Sequence, residues 1–180
     1  LVNDKQQKWQ GPADLSFRMR CAWRDGRLYL RVDVADDKIL TLPQNCRKIA
    51  SVSQCDCVEI FLGATGSRIE DLSKALVQLL VVPSPTAKIS KCTTINLDRN
   101  EKINVNFFGK RTKQGYMLEG CIAPKSGSQI RLNRGRMIAL ELLVHDTDDF
   151  NDGAKTRMAL NSKKGSNPQD PINWRWSCLV

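Results

Sequence analysis

The sequence holds a single histidine, His145, among 180 residues. One imidazole supplies neither a histidine metal cluster nor a complete nucleophilic triad. No Gly-x-Ser-x-Gly, phosphate-binding glycine loop or cofactor-lysine motif accompanies it. Apolar runs such as Leu79–Val82 are strand-sized, far short of the ~18 residues that a membrane-spanning helix needs. There is no Cys-x-x-Cys. Cys55-x-Cys57 places two sulfurs on one strand face with no histidine near, so zinc is not expected. Aromatic residues make up 6% of the chain and do not interleave with basic clusters, which argues against a nucleic-acid motif. No segment of ten to twelve residues keeps a clean helical period. The best approach to one, within 68–80, ends in β-branched residues and prolines, which favour a strand. No internal repeat is visible.

What the chain does have is alternation. Leu15–Asp37 reads as two strands joined at Asp25-Gly26, the turn pair that best tolerates two positive φ angles. A two-residue loop sets Arg24 opposite Arg27. It then pairs Trp23 with Leu28, Cys21 with Leu30, Met19 with Val32 and Phe17 with Val34. These side chains share one face by the period-two rule, so Phe17, Met19, Cys21, Leu30, Val32 and Val34 are expected in the core. The other face pairs Arg20 with Arg31 and Arg18 with Asp33. Further strands are read at 54–63, 75–82, 103–108, 116–123, 137–144 and 174–179, with 103–108 and 116–123 forming a second hairpin. The run at 75–82 is apolar on both sides except at Gln78, which suits a central strand. Leu1–Ala13 reads as an irregular entry. Many short strands separated by turns predict an all-β, antiparallel sandwich (immunoglobulin-like or jelly-roll-like) of about 8–11 strands. One domain over 1–180 is expected.

Formal net charge is +9, and the basic residues are dispersed, with only Lys110-Arg111 and Lys163-Lys164 as short clusters. That charge permits acidic partners but also serves ordinary solubility. The seven cysteines, 21, 46, 55, 57, 92, 121 and 178, are odd in number. Cys21, Cys57, Cys121 and Cys178 lie within strand-like segments, where cysteine acts as a small hydrophobe. Cys46, Cys55 and Cys92 flank loops and are candidates to pair. Leu1 is not an initiator residue and no signal-peptide pattern follows it. The chain is therefore read as a processed or excised piece.

Several motifs together resemble carbohydrate-binding module family 9. Trp9-x-Gly-Pro-x-Asp14, followed by Ala22-Trp23-x-Asp-Gly-x-Leu-Tyr-Leu-x-Val-x-Val-x-Asp36, is similar to the opening of that family. Asp56-Cys-Val-Glu-Ile-Phe61 is similar to its hallmark strand. Gly115-Tyr-x-x-Glu119-x-x-Ile-Ala-Pro124 and the strand leading to Asp146-x-Asp148 also match. The resemblance implies a non-catalytic sugar-binding sandwich. Such a module is usually appended to a glycoside hydrolase or other secreted protein, hence extracellular or periplasmic. It implies a carbohydrate-contacting Glu59. The family clamps sugar between two tryptophans, but the matching places here, near Ser53 and within 167–169, hold no aromatic residue. Trp174 or Trp176 is the candidate replacement platform; the alternative is that both are core or edge residues of the closing strand.

Each candidate residue has a second reading. Glu59 either accepts hydrogen bonds from sugar hydroxyls or answers the Arg20/Arg31 pair on the first hairpin. Asp146, Asp148, Asp149 and Asp152 form an oxygen-rich loop that either holds calcium or is a solvated turn; relatives in the family hold structural calcium. His145 reads as a strand-end surface residue. A haem-binding module of related fold, with His145 and Met117, Met137 or Met158 as ligands, and a spacer without ligand are the rival readings. A carbohydrate, an acidic one more than a neutral one given the charge, is the expected partner. Neither nucleic acid nor membrane insertion is expected.

Overall fold

The computed structural model describes residues 2–4, 9–41, 54–65, 76–83, 86–97, 102–149, 155–162, 167, 170 and 174–180. Among them run twelve strands and no helix. They are β1 (Val2–Asp4), β2 (Leu15–Arg24), β3 (Arg27–Asp36), β4 (Cys57–Thr65), β5 (Leu76–Val82) and β6 (Ser90–Lys91). After these come β7 (Thr93–Asn96), β8 (Ile103–Thr112), β9 (Gly115–Pro124), β10 (Met137–Asp146), β11 (Lys155–Ala159) and β12 (Arg175–Cys178). A five-stranded antiparallel sheet has the order β2-β3-β9-β8-β6. A seven-stranded sheet runs β1-β11-β10-β4-β5-β7, with β12 also on β10.

The first hairpin folds in the expected register from Leu15↔Asp36 to Arg24↔Arg27. Asp25 and Gly26 take φ of 49° and 71°, as the tight turn demands. The second hairpin, β8–β9, turns at Lys113-Gln114. Gly115 opens β9 with φ +142°, and a Cβ there would stand 2.2 Å from the Val34 carbonyl oxygen, so only glycine fits. The core lies between the sheets. Leu28, Leu30, Val32 and Val34 of β3 and Leu118 and Ile122 of β9 meet Val58, Ile60 and Leu62 of β4, with Leu140, Leu142 and Val144 of β10.

Burial of the first hairpin differs from expectation on its outer strand. Leu30, Val32 and Val34 are buried, but Phe17 and Met19 are half-buried and Cys21 is exposed. β2 is the edge strand of its sheet. Its inward face overhangs a groove lined by Met19, Cys21, Trp23 and, across the gap, Ile138, Leu140 and Leu179. Period two gives the direction of a side chain, while burial needs something opposite it. Cys178 is also exposed, but it pairs with Met137 and so stands on the outer face of the seven-stranded sheet. Cys55 and Cys92 sit in separate apolar clusters rather than together, and Cys46 lies outside the described residues. The entry segment read as irregular contains β1, which pairs with the unforeseen β11.

One side of β10 is shared by two strands, β11 along Leu143–Asp146 and β12 along Met137–Leu140. Where they part, backbone amides lose their ladder partners. The fully buried Glu141 side chain fills the gap. Its Oε1 accepts the N–H groups of Leu142, Leu160 and Asn161 at 2.9, 3.0 and 3.1 Å. Its Oε2 accepts the N–H and hydroxyl of Ser162, both at 3.0 Å. Glu141 is thus a structural plug, placed where several donors converge.

Candidate functional site

Two polar groupings lie close together at one end of the sandwich. The first is between the sheets. Asp36 ends β3, Asp56 immediately precedes β4, and Asp146 ends β10. Each is buried, and each offers an oxygen within 4.8 Å of the other two. Asp56 is a clamp: its carboxylate accepts the amides of Leu40 and, at 2.8 Å, of Thr147. Asp36 accepts the Lys38 amide at 2.8 Å through Oδ1. Asp36 Oδ2 and both oxygens of Asp146 have no hydrogen-bond partner. The remaining orphaned buried side-chain atoms among the described residues are the hydroxyls of Tyr116, Thr147 and Thr156. All of them border the trio: Thr147 follows Asp146, Thr156 is its cross-strand partner, and Tyr116 lies beside the end of β3.

Burial opposes charge at these carboxyls, and their mutual repulsion adds to it. Asp56 is pushed up to about 9 by burial and then by Asp36, against the two amides that favour its anion. Asp146 rises to about 8 through burial, then Asp36 and Asp148. Asp36 rises to about 6, chiefly through burial. Burial also raises the Tyr116 hydroxyl. Unpartnered carboxylate and hydroxyl oxygens forced together in a buried site are a donor set for a hard, oxygen-seeking cation such as calcium. The buried candidate group differs from the expected loop: it holds Asp146 together with Asp36 and Asp56 from elsewhere in the chain. Asp148 is half-buried and electrostatically coupled to Asp146, Asp149 is exposed, and Asp152 lies outside the described residues. Nothing local to 146–152 signals this, because the three carboxylates stand at strand ends distant in sequence. The available hint was that Asp36 and Asp56 each stand at the end of an apolar strand.

The second grouping is on the outer face of the seven-stranded sheet. Period two puts Glu59 on that face of β4, opposite Leu143 and Leu80. His145 Nε2 donates to Glu59 Oε2 at 2.8 Å, and Gln78 Nε2 donates to Oε1. Burial works against the Glu59 charge, but the His145 hydrogen bond and charge, Gln78 and Arg157 outweigh it. Its carboxyl is held below the ordinary glutamate value. Two apolar clusters flank this trio: Cys55, Cys57, Leu80 and Val82 on one side, Phe61, Ala139, Leu143 and Trp174 on the other.

Three expectations are corrected here. Glu59 does not answer Arg20 and Arg31, which belong to the other sheet. Asp33 does so at 2.8 and 2.9 Å, with Glu119 at 3.7 Å from Arg31. His145 is not a surface residue, since its side chain is only 12% exposed against Glu59. Nor does it share a site with the methionines. Met117 is on the other sheet, and Met158 opposes the inward Val144. Met137 is eight residues along the same strand, about 27 Å away. The haem-ligand set does not assemble.

Trp9, Trp23 and Trp174 are structural. Trp174 is buried with its ring 5.6 Å from that of Phe61, so it is part of the outer apolar cover and not an open platform. Trp176 pairs its backbone with Ala139, and its side chain lies outside the described residues. Trp9 donates its indole N–H to the Leu15 carbonyl, and Trp23 donates to that of Leu132, both at 2.9 Å. Asp14 accepts the Gln10 amide, so the Trp9-to-Asp14 motif fastens the start of β2.

The fold and its strand-end carboxylates define a two-sheet antiparallel β-sandwich domain. The chain belongs to the carbohydrate family 9 binding domain-like family, whose model matches residues 2–180. Solved structures share the fold at low identity. A family 9 module from Caldicellulosiruptor kristjanssonii in complex with cellotriose is 16% identical, with a TM-score of 0.60 over 94% of this chain and 77% of that one. A family 9 module from the same organism in complex with glucose is 17% identical, with a TM-score of 0.58 over 100% and 91%. A putative carbohydrate-binding protein from Bacteroides uniformis is 11% identical, with a TM-score of 0.53 over 99% and 85%. No curated protein matches the chain.

Proposed function

We propose that this domain binds a poly- or oligosaccharide weakly, through the Glu59 face of the seven-stranded sheet, and performs no chemistry on it. The observation that carries the reading is family membership along the whole chain together with the placement of Glu59. The residue at the family's polar position is held ionised and oriented by His145 and Gln78, between two apolar clusters. An oriented carboxylate is a strong acceptor for sugar hydroxyls. The two family clamp positions lack aromatic residues and Trp174 is buried, so the expected affinity is low. Within the same reading, calcium is held by Asp36, Asp56 and Asp146, which ties the ends of β3 and β10 to the start of β4. The domain works as an appendage of a larger secreted protein, in the extracellular space or periplasm, possessing the family's usual association with glycoside hydrolases.

Calorimetry and affinity electrophoresis with glucose, cellotriose and neutral polysaccharides test the sugar site. Wild type is expected to bind at least one of these, with Glu59→Gln weakened while its melting shows it remains folded. Binding that is unchanged in folded Glu59→Gln, or no neutral sugar bound by wild type, rejects the Glu59 site.

A further inference from the structure

We propose that the outer face of the five-stranded sheet is a second glycan-binding surface, one that takes a polysaccharide of carboxylate-bearing pyranoses. It rests on the reading of the domain as a glycan binder, but not on the Glu59 site, which lies on the other sheet.

Among the described residues the exposed large hydrophobic side chains are Tyr29, Phe108, Ile89 and Val180, at 39, 45, 66 and 88% exposure. The first three line one open groove of about 470 Å³, together with Arg20, Arg31 and Glu119. The register explains the arrangement. Ala22, Tyr29, Cys121 and Asn106 form one row across β2, β3, β9 and β8. Arg20, Arg31, Glu119 and Phe108 form the next. Tyr29 and Phe108 therefore stand on strands two apart, about 10 Å across the sheet, roughly the span of two linked pyranose rings. Aromatic faces stack on the apolar face of a pyranose, and a few fixed polar groups set its orientation. A shallow groove open along the sheet suits a polymer passing over it.

The charge on this face selects the class of polymer. Arg20 gives Asp33 only Nη1, so its Nε and Nη2 have no partner among the described residues. A guanidinium edge of this kind receives a carboxylate bidentately. The same face also carries Arg18, Arg24, Arg27 and Lys110, against Asp33 and Glu119. The resulting positive potential favours anionic ligands. A uronate stacked on Tyr29 presents its carboxylate to the neighbouring arginine row, while Glu119 accepts from ring hydroxyls.

The test uses the whole chain with polygalacturonate, with cellotriose, and with polyglutamate as a polyanion without sugar rings. Wild type is expected to bind polygalacturonate more tightly than polyglutamate, and less tightly as salt rises. The Tyr29→Ala/Phe108→Ala variant should lose about tenfold or more. Arg20→Gln should bind more weakly with a shallower salt dependence. Circular dichroism and melting confirm that these exposed-site variants are folded. Equal binding of polyglutamate, or an aromatic variant indistinguishable from wild type, overturns the proposal and leaves a simple basic patch. A wild-type dimer that the aromatic variant converts to monomer overturns it in favour of an interface between copies. Polygalacturonate binding with no neutral sugar bound rejects the Glu59 site and leaves this one standing.

Discussion

Replacing Glu141 by glutamine is a nearly isosteric change with a calculable cost. The carboxylate accepts five hydrogen bonds from four amides and one hydroxyl, and every partner is a donor. Glutamine keeps one acceptor oxygen and puts an NH2 group where the other stood. With its oxygen at the Oε1 place, the NH2 faces Ser162. The serine hydroxyl rotates to accept, but the Ser162 amide is orphaned in a buried site. An orphaned buried donor costs about 1–3 kcal/mol. The surviving bonds fall from charge-assisted to neutral strength, which adds to the loss. Relief of the carboxylate's own desolvation offsets part of it. The net expectation is about 2–4 kcal/mol of destabilisation. For a chain of this size that lowers the melting temperature by about 4–16 °C. Thermal and urea unfolding followed by circular dichroism measure it, and hydrogen exchange should show the Leu160–Ser162 amides losing protection first. Asp33→Asn is the control, because exposed ion pairs contribute little. A Glu141→Gln protein that melts within about 1 °C of wild type refutes the plug.

Four further outcomes follow from the structure. Millimolar calcium should raise the melting temperature by mass action, and Asp146→Asn should abolish that response; an unchanged melting curve in calcium disposes of the site. Without metal, the raised carboxyls bind protons more tightly in the folded state than the ordinary aspartate. Stability should therefore fall as pH rises from about 4 towards the 8–9 of Asp146 and Asp56, and calcium should restore most at the alkaline end. A profile without calcium that stays flat across that window would count against the buried trio. Gly115→Ala should destabilise by about 1–3 kcal/mol or more, since its Cβ meets the Val34 carbonyl oxygen; wild-type melting of that variant would mean the close approach is relieved at no cost. Glu59 has the opposite sign to the trio. Its depressed value means that its contribution is present above 4.5 and lost as pH falls through the lower folded value, so the melting gap between wild type and Glu59→Gln should close in acid.

The sequence by itself determined the all-β class, the first hairpin to the residue, and the family. Asp25-Gly26 is a local instruction: two positive φ angles set a two-residue loop, and the loop sets every pairing from Arg24↔Arg27 to Leu15↔Asp36. Alternation likewise gave the faces of β4, β9 and β10, because side-chain direction in a strand has period two whatever lies around it. The tertiary structure alone decided what each face meets. Cys21 points inward yet is exposed, because β2 is an edge over an open groove. Glu59 stands where alternation puts it, but its partners, His145 and Gln78, come from β10 and β5, and the arginines proposed for it belong to the other sheet. Asp36, Asp56 and Asp146 are ordinary strand-end acids in the sequence. They become a candidate cation site only because the ends of β3 and β10 and the start of β4 converge at one end of the sandwich. Burial there strips away the water that would otherwise solvate and screen the three carboxylates, so that together they favour a proton or a cation.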